Sequence, residues 1–281
     1  MSFWEKMLAV DRRWIFLLVG VSLLVPILPF AAIDVKFSVS EESQKLFDGL
    51  KELPPGSKVL VTFDYDPPSA PELQPMADAC LKYLFSRNLK VIIMGLWPQG
   101  PQQAEISVQR ALAEPAIAAK NLQYGIDYVN LGFQSGNEFV IQRMGSDFKE
   151  AFPRDTRGNG YDDLQLLRNV KNFSNVDFVF NLSAGYPGTV EWVQVAADRY
   201  NVKLGAANTA VQAPLAYPYL RGGQLVGLLG GMRGAAEFEK LTEFRGNATQ
   251  FMLSQTFAHF IVIFFIVIGN VAYFVTRRKK E

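Results

Sequence analysis

The sequence predicts an α/β fold. It reads as a doubly wound, mostly parallel sheet of about five strands, flavodoxin- or Rossmann-like, flanked by N- and C-terminal transmembrane helices. Three observations predict it. Short runs rich in Val, Ile and Phe recur through the middle of the chain. Stretches with helical apolar spacing separate them, and that alternation argues for a parallel sheet covered on both faces. Two uncharged stretches of bilayer length bracket the whole.

Residues 1–13 read as a cytoplasmic tail and 14–33, WIFLLVGVSLLVPILPFAAI, as the first transmembrane helix, with no charged residue. Pro26 and Pro29 fall near its far end. Small residues Ala31 and Ala32 leave a cleaved signal peptide as the alternative. Residues 34–56 form a connecting segment with one short helix, SEESQKLFDGLKEL, ended by Pro54, Pro55 and Gly56.

The α/β domain is predicted over 57–245. KVLVTF, KVIIMGL, GIDYVNLGF, VDFVFNLS and VKLGAAN are its strands. Leu73, Met76, Ala77, Cys80, Leu81 and Leu84 make one helical stripe, and Val190, Val193, Ala197 and Tyr200 another. QQAEISVQRALAE supplies a helix after the second strand. The polar stretch 145–169 reads as an insertion. APLAYPYLRGGQLVGLLGGMRGAAEFEKLTEF reads as helices that pack on the sheet or the membrane surface.

A connector and second transmembrane helix follow over 246–276, centred on FAHFIVIFFIVIGNVAYFV, with a basic tail at 277–281. Arg12 and Arg13 before the first helix, and Arg277, Arg278, Lys279 and Lys280 after the second, place both termini in the cytoplasm. The domain is then extracytoplasmic and the bilayer is its first partner. Cys80 is the only cysteine, so no intrachain disulfide forms, and the reading favours a prokaryotic plasma membrane. Asn172, Asn181 and Asn247 begin glycosylation triplets that matter only in a eukaryotic secretory pathway. A net charge of +1 gives no electrostatic footprint for nucleic acid.

The only histidine, His259, lies in the second transmembrane stretch. A Ser-His-Asp triad in the domain is therefore excluded, and so is a zinc site built on His or Cys. What remains is VLVTFDYDPPSAPEL. Asp64 and Asp66 follow the first strand, where open α/β sheets bind ligands. Hydrophobic residues followed by D-x-D resemble the first motif of haloacid-dehalogenase-type phosphatases, which implies a nucleophile, an acid/base and Mg²⁺. Pro67 and Pro68 depart from that motif, the second strand ends without Ser or Thr, and Asp162 and Asp163 follow no strand.

The competing reading is turn chemistry. Ser69 and Glu72 have capping-box spacing, which makes Ser69 the cap and leaves both aspartates free for a cation or polar ligand. Trp97, Gln134, Ser183, Asn208 and Thr209 stand at the other strand ends and would line a small-molecule pocket with Asp64 and Asp66. GLLGGMRGAAE offers backbone N–H groups and Arg233 to an anion, or else close helix packing. Tyr217, Tyr219, Leu225, Leu228, Leu229 and Arg233 make an unusually apolar stretch suited to a partner interface.

The first third carries a family resemblance. A membrane helix followed by DVKFSVSEESQKLFDGLKELPPGSKVLVTFDYDP resembles the extracytoplasmic portion of the gliding-motility-associated, GldG-like accessory proteins of ABC transporters. The resemblance covers about a quarter of the chain and implies an accessory role in a membrane complex. The leading expectation is a non-enzymatic component of a transport, secretion or envelope assembly complex, with membrane protein partners or self-association. The alternative is a membrane-anchored enzyme or solute-binding protein around Asp64 and Asp66, with a divalent metal. No cofactor is named by any motif.

Overall fold

The computed structural model describes residues 3–28 and 37–278. The chain divides into two units, Phe37–Ala248 and residues 1–36 with 249–281.

Helix α1 spans Phe3–Leu8 and α2 spans Arg12–Leu24, with Asp11 capping α2 by accepting from the Arg13 N–H. A 3₁₀ turn, Val25–Ile27, follows. This corrects the expectation of one continuous membrane helix over 14–33. Pro26 lacks an N–H and cannot continue the α-helical ladder. The 13 residues of α2 rise about 20 Å, short of the roughly 30 Å hydrocarbon layer. Pro29 and residues 31–33 lie outside the described residues. Trp14, Phe16, Leu17 and Leu24 are all exposed.

Phe37–Ala248 begins with α3, Glu41–Lys51, capped by Ser40. Strand β1 is Lys58–Asp64, and α4 is Ala70–Ser86. Then come β2 Lys90–Gly95, α5 Gly100–Leu112 and α6 Pro115–Ala118. Strand β3 is Tyr128–Phe133, followed by α7 Glu138–Ser146 and α8 Phe148–Ala151. After β4, Phe178–Ser183, one helical run starts as α9 Thr189–Trp192, widens to a π turn at Val193–Ala197 and ends as α10 Asp198–Tyr200. Strand β5 is Leu204–Asn208, α11 Ala213–Arg221, β6 Leu228–Gly230 and α12 Gly231–Thr242.

The sheet is parallel throughout, with order β3-β2-β1-β4-β5-β6. The strand order reverses between β1 and β4, which is where open α/β sheets place ligands. All five predicted strands are present. The sixth, β6, lies in the Gly- and Leu-rich stretch read as helices. Three residues are too short to show a period, but pairing with β5 makes Leu228 and Leu229 core.

Leu60, Ile92, Val129, Val179 and Leu204 share a hydrophobic core with Met144, Phe148, Phe173 and Trp192. On the other face Phe180 packs on Phe238 of α12. The polar-looking excursion 145–169 is anchored in the first core by Phe148, Phe152, Tyr161, Leu164 and Leu167, all buried.

Helix α3, placed by sequence in a connecting segment, is an integral layer of this unit. Leu46 and Leu50 are fully buried. Gly227 lets it lie directly on the sheet edge, since a Cβ there would meet the Glu42 carbonyl oxygen at 2.6 Å. Ser40 Oγ and Ser43 Oγ donate to Glu237 Oε2 at 2.6 and 2.7 Å, while Arg233 Nε donates to Oε1 at 2.8 Å. Burial pushes the Glu237 carboxyl up, but these donors overcome it and hold it below the usual range. Ser43→Ala removes one charge-assisted bond and should cost about 1–2 kcal/mol, read as a lower urea midpoint in detergent.

Helix α13, Ala248–Arg278, closes the chain, and Ala248–Arg277 is long and apolar enough to cross a membrane. Both carboxylate oxygens of Glu239 accept from the Ala248 N–H, at 3.1 and 3.2 Å. Burial outweighs these bonds and raises Glu239 to about 7.

Candidate functional site

Strand alternation builds the site. Leu60 faces the Trp192 core, so Thr62 and Asp64, two and four residues on, face it too. The register sets Thr62 beside Asn181, Asp64 beside Ser183 and Ser183 beside Asn208. Five polar residues thus share one face at the carboxyl end of β1, β4 and β5, and all are buried.

Asp64 is the hub. Its Oδ2 accepts from Thr62 Oγ1 at 3.1 Å, Asn181 Nδ2 at 2.8 Å and Trp192 Nε1 at 2.8 Å. Its Oδ1 accepts from the Leu96 N–H at 2.7 Å. Complete burial raises the carboxyl to about 7 against the pull of these four donors. The network continues through Thr189, whose hydroxyl lies 2.6 Å from Asn181 Oδ1 and 3.0 Å from Asn208 Oδ1. Among the described residues, no buried side-chain nitrogen or oxygen lacks a partner. The network spends its polar groups on itself.

Asp66 does a different job. Its carboxylate accepts from Ser69 N at 3.3 Å and Ser69 Oγ at 2.8 Å, capping the 3₁₀ turn Pro67–Ser69. This corrects two expectations. Neither aspartate is free, and Ser69 makes no side-chain cap for α4. Glu72 reaches instead across to the Ala210 N–H at 2.8 Å. Asp66→Ala should cost about 1 kcal/mol, as other lost caps do. A thermal melt in detergent would show it as a small shift.

The remaining strand-end residues divide in two. Trp97 is partly buried and donates from Nε1 to the Pro187 carbonyl at 2.8 Å. Gln134 is partly exposed, with its N–H donating to the Gly95 carbonyl at 3.3 Å. Ser183 Oγ lies 3.1 Å from the Gly185 carbonyl oxygen. Asn208 is buried in the Thr189 network, and the Thr209 N–H donates to the Ser183 carbonyl at 3.3 Å. Asp64, Ser183 and Asn208 therefore converge inside the core, while Trp97 and Gln134 stand above it.

The loops over this network are laced together. Tyr186 Oη donates to Glu138 Oε2 at 2.9 Å, tying the β4 loop to the start of α7. Trp97 ties the β2 loop to Pro187, and Glu72 ties α4 to the β5 loop. Among the described residues, no group of three or more His, Cys, Asp or Glu is placed to hold a metal ion.

The predicted interface stretch is corrected in part. Leu228 and Leu229 are buried because β6 is a strand, and Leu225 is buried just before it. Arg233 pairs with the Glu237 carboxylate, Nε to Oε1 at 2.8 Å. The glycines serve packing: a Cβ on Gly231 would meet Ala210 Cβ at 2.8 Å, and one on Gly234 would meet the Leu229 backbone at 2.9 Å. Tyr217 remains exposed, while Tyr219 Oη accepts from Gln194 Nε2 at 3.0 Å.

Sequence reasoning missed Thr62, Asn181, Thr189 and Trp192. The first two carried a signal. Each is a polar residue inside a run otherwise read as buried strand, in phase with the strand-end residue two places on. Comparison with family models, with curated proteins and with solved structures finds no match.

Proposed function

We propose that this chain is a membrane-anchored extracytoplasmic α/β domain that works as a non-enzymatic component of a transport, secretion or envelope assembly complex. The observation that carries the reading is the state of Asp64. Its carboxylate is fully buried and its oxygens accept four hydrogen bonds from this chain's own donors. A carboxylate so engaged holds loops and strands together. α13 supports the anchoring, and the bases that follow it support a C-terminus in the cytoplasm of a prokaryote. The GldG-like arrangement of the first third is consistent with an accessory role beside a transporter.

One observation favours the alternative, an enzyme or solute binder at the switch point. A carboxyl raised to about 7 is what general acids and bases use. The complete burial of Asp64, with Trp192 bonded to its Oδ2, weighs against it.

The test is purification of the full chain from its native membrane in mild detergent. Membrane proteins that co-purify in fixed stoichiometry, with wild type and with Asp66→Ala alike, support the proposal. A chain without partners, stabilised by a divalent metal or a small solute, would replace it with the alternative. Topology has its own check: a reporter fused after Glu281 should behave as cytoplasmic, and external protease should cut near Arg157.

A further inference from the structure

Helix α13 carries its polarity on one side. Between Phe257 and Val275 the side chains with a polar atom are those of His259, Asn270 and Tyr273. At 3.6 residues per turn they fall within about 60° of one another around the helix. Ile263 and Ile266 share that face, and all five side chains are exposed. On the opposite side Ser254 and Ala272 are buried. The face left open among the described residues is thus the one that holds the polar groups.

Asn270 turns this pattern into a constraint. Its Nδ2 donates to the Ile266 carbonyl at 2.8 Å, and among the described residues nothing donates to its Oδ1. Arg277, the first base after the span, lies about 10 Å further along the axis. An asparagine side chain is too short to cross that distance to the headgroups, as Lys and Arg do by snorkelling. In a membrane anchor, the reading on which this inference rests, an amide facing hydrocarbon is costly unless a neighbouring helix completes its bonds.

The spacing says which helix. His259, Ile263, Ile266, Asn270 and Tyr273 alternate steps of four and three, the seam of a parallel helix pair, with Ile263 and Asn270 at its a positions. Copies of this chain cross the bilayer in the same direction, so their α13 helices run parallel. A two-fold axis along the membrane normal then brings each seam residue to its own counterpart at the same depth. The seam suits such self-pairing. Ile packs on Ile, and an amide, which carries donors and an acceptor, bonds to a second amide. A polar Asn at one a position is also the device that fixes register and strand number in helix pairs. A foreign helix would have to supply its own polar group at that depth.

We propose that α13 pairs in parallel with α13 of a second copy along this seam, with the two Asn270 amides bonded to each other. The proposal deepens the assembly reading above by making a homodimer its membrane-embedded unit.

The test uses the full chain in its native membrane. Ile266→Cys and Phe264→Cys each place a thiol at an exposed position of the span, about 160° apart around the helix. Cys80 is buried and is the common background. Mild oxidation should link Ile266→Cys into a disulfide dimer at least tenfold more than Phe264→Cys. A second measurement is energy transfer between copies carrying donor and acceptor reporters after Glu281, in vesicles of zwitterionic lipid, as the protein is diluted in lipid. Asn270→Leu should weaken this association at least threefold, and Phe264→Leu should leave it unchanged. Asn270 is exposed, so its variant should keep its circular dichroism and its melting temperature.

Equal linking at 264 and 266, energy transfer no greater than for unassociated chains, or Asn270→Leu associating like wild type would overturn the proposal. A different membrane protein linked at position 266 in place of the dimer would overturn it in favour of a foreign helix. Release of the chain from the membrane by alkaline carbonate would overturn the anchoring reading and this inference with it. A chain that stays in the membrane as a monomer overturns this inference alone, and native partners that still co-purify with it leave the assembly reading standing.

Discussion

Asp64→Asn is expected to destabilise the protein by about 2–4 kcal/mol at pH 6, although the two side chains have the same shape. The reason is donor count. Four donors converge on the two oxygens of Asp64. An amide nitrogen has no lone pair to offer. If it takes the Oδ1 position it faces the Leu96 N–H, and if it takes Oδ2 it faces the Trp192 and Asn181 N–H groups. Either way buried donors go unpaired. A protonated carboxyl escapes this, because its hydroxyl oxygen still accepts.

That difference fixes the pH dependence. Folded Asp64 takes up its proton near 7, against 3.8 for an ordinary aspartate. Between those values the folded state holds more protons than the unfolded one, so the stability this group adds is greatest on the acid side and is lost as pH rises through 7. Asparagine has no such titration. The cost of Asp64→Asn should therefore be about 1 kcal/mol smaller at pH 8 than at pH 6. Urea unfolding of both chains in the same detergent at the two pH values measures it, and shared groups such as Glu239 cancel in the difference. Equal stability at pH 6, or a cost that ignores pH, would show that the cradle does not hold Asp64 as described.

The second large effect is expected at Gly100, the first residue of α5. A Cβ there would overlap the Phe63 carbonyl oxygen and stand 3.0 Å from its carbon. Gly95 approaches the same oxygen, at 2.7 Å. The obstacle is backbone in the central strand, which no rotamer change relieves. Gly100→Ala must lift the start of α5 off β1, at about 3 kcal/mol or more. The exposed neighbour Gln99→Ala should be close to neutral. A thermal melt comparing the two separates the backbone clash from a general sensitivity of the loop.

These residues show what the sequence made legible. The five long strands could be read because Val-, Ile- and Phe-rich runs leave little else to form. Strand β6 could not: LLG is a strand only because β5 offers it an edge. Pro26 stood in plain view, yet its effect on the first apolar stretch depends on how the backbone resolves the missing hydrogen bond. At the site, the position of Asp64 at a strand end was readable, but two of its four partners come from β4 and α9, more than a hundred residues on. The capping roles were misassigned for a local reason. Asp66 and Ser69 are both good caps, and two prolines between them favour a 3₁₀ turn that gives the job to the aspartate.

The seat of α3 has a consequence for how the chain is made. Leu46 lies against Gly205 and Gly227, and Ser43 against Glu237. Gly227 leaves the ribosome about 180 residues after Leu46, roughly 10–40 s later at ordinary rates of synthesis. Throughout that interval the Leu46 side of the helix lacks its seat, although Phe47 already has Tyr83 of α4 to pack on. The domain's earliest segment is therefore the last to be seated. A chain stopped before β6 therefore leaves the seat of α3 as unfinished as its own end.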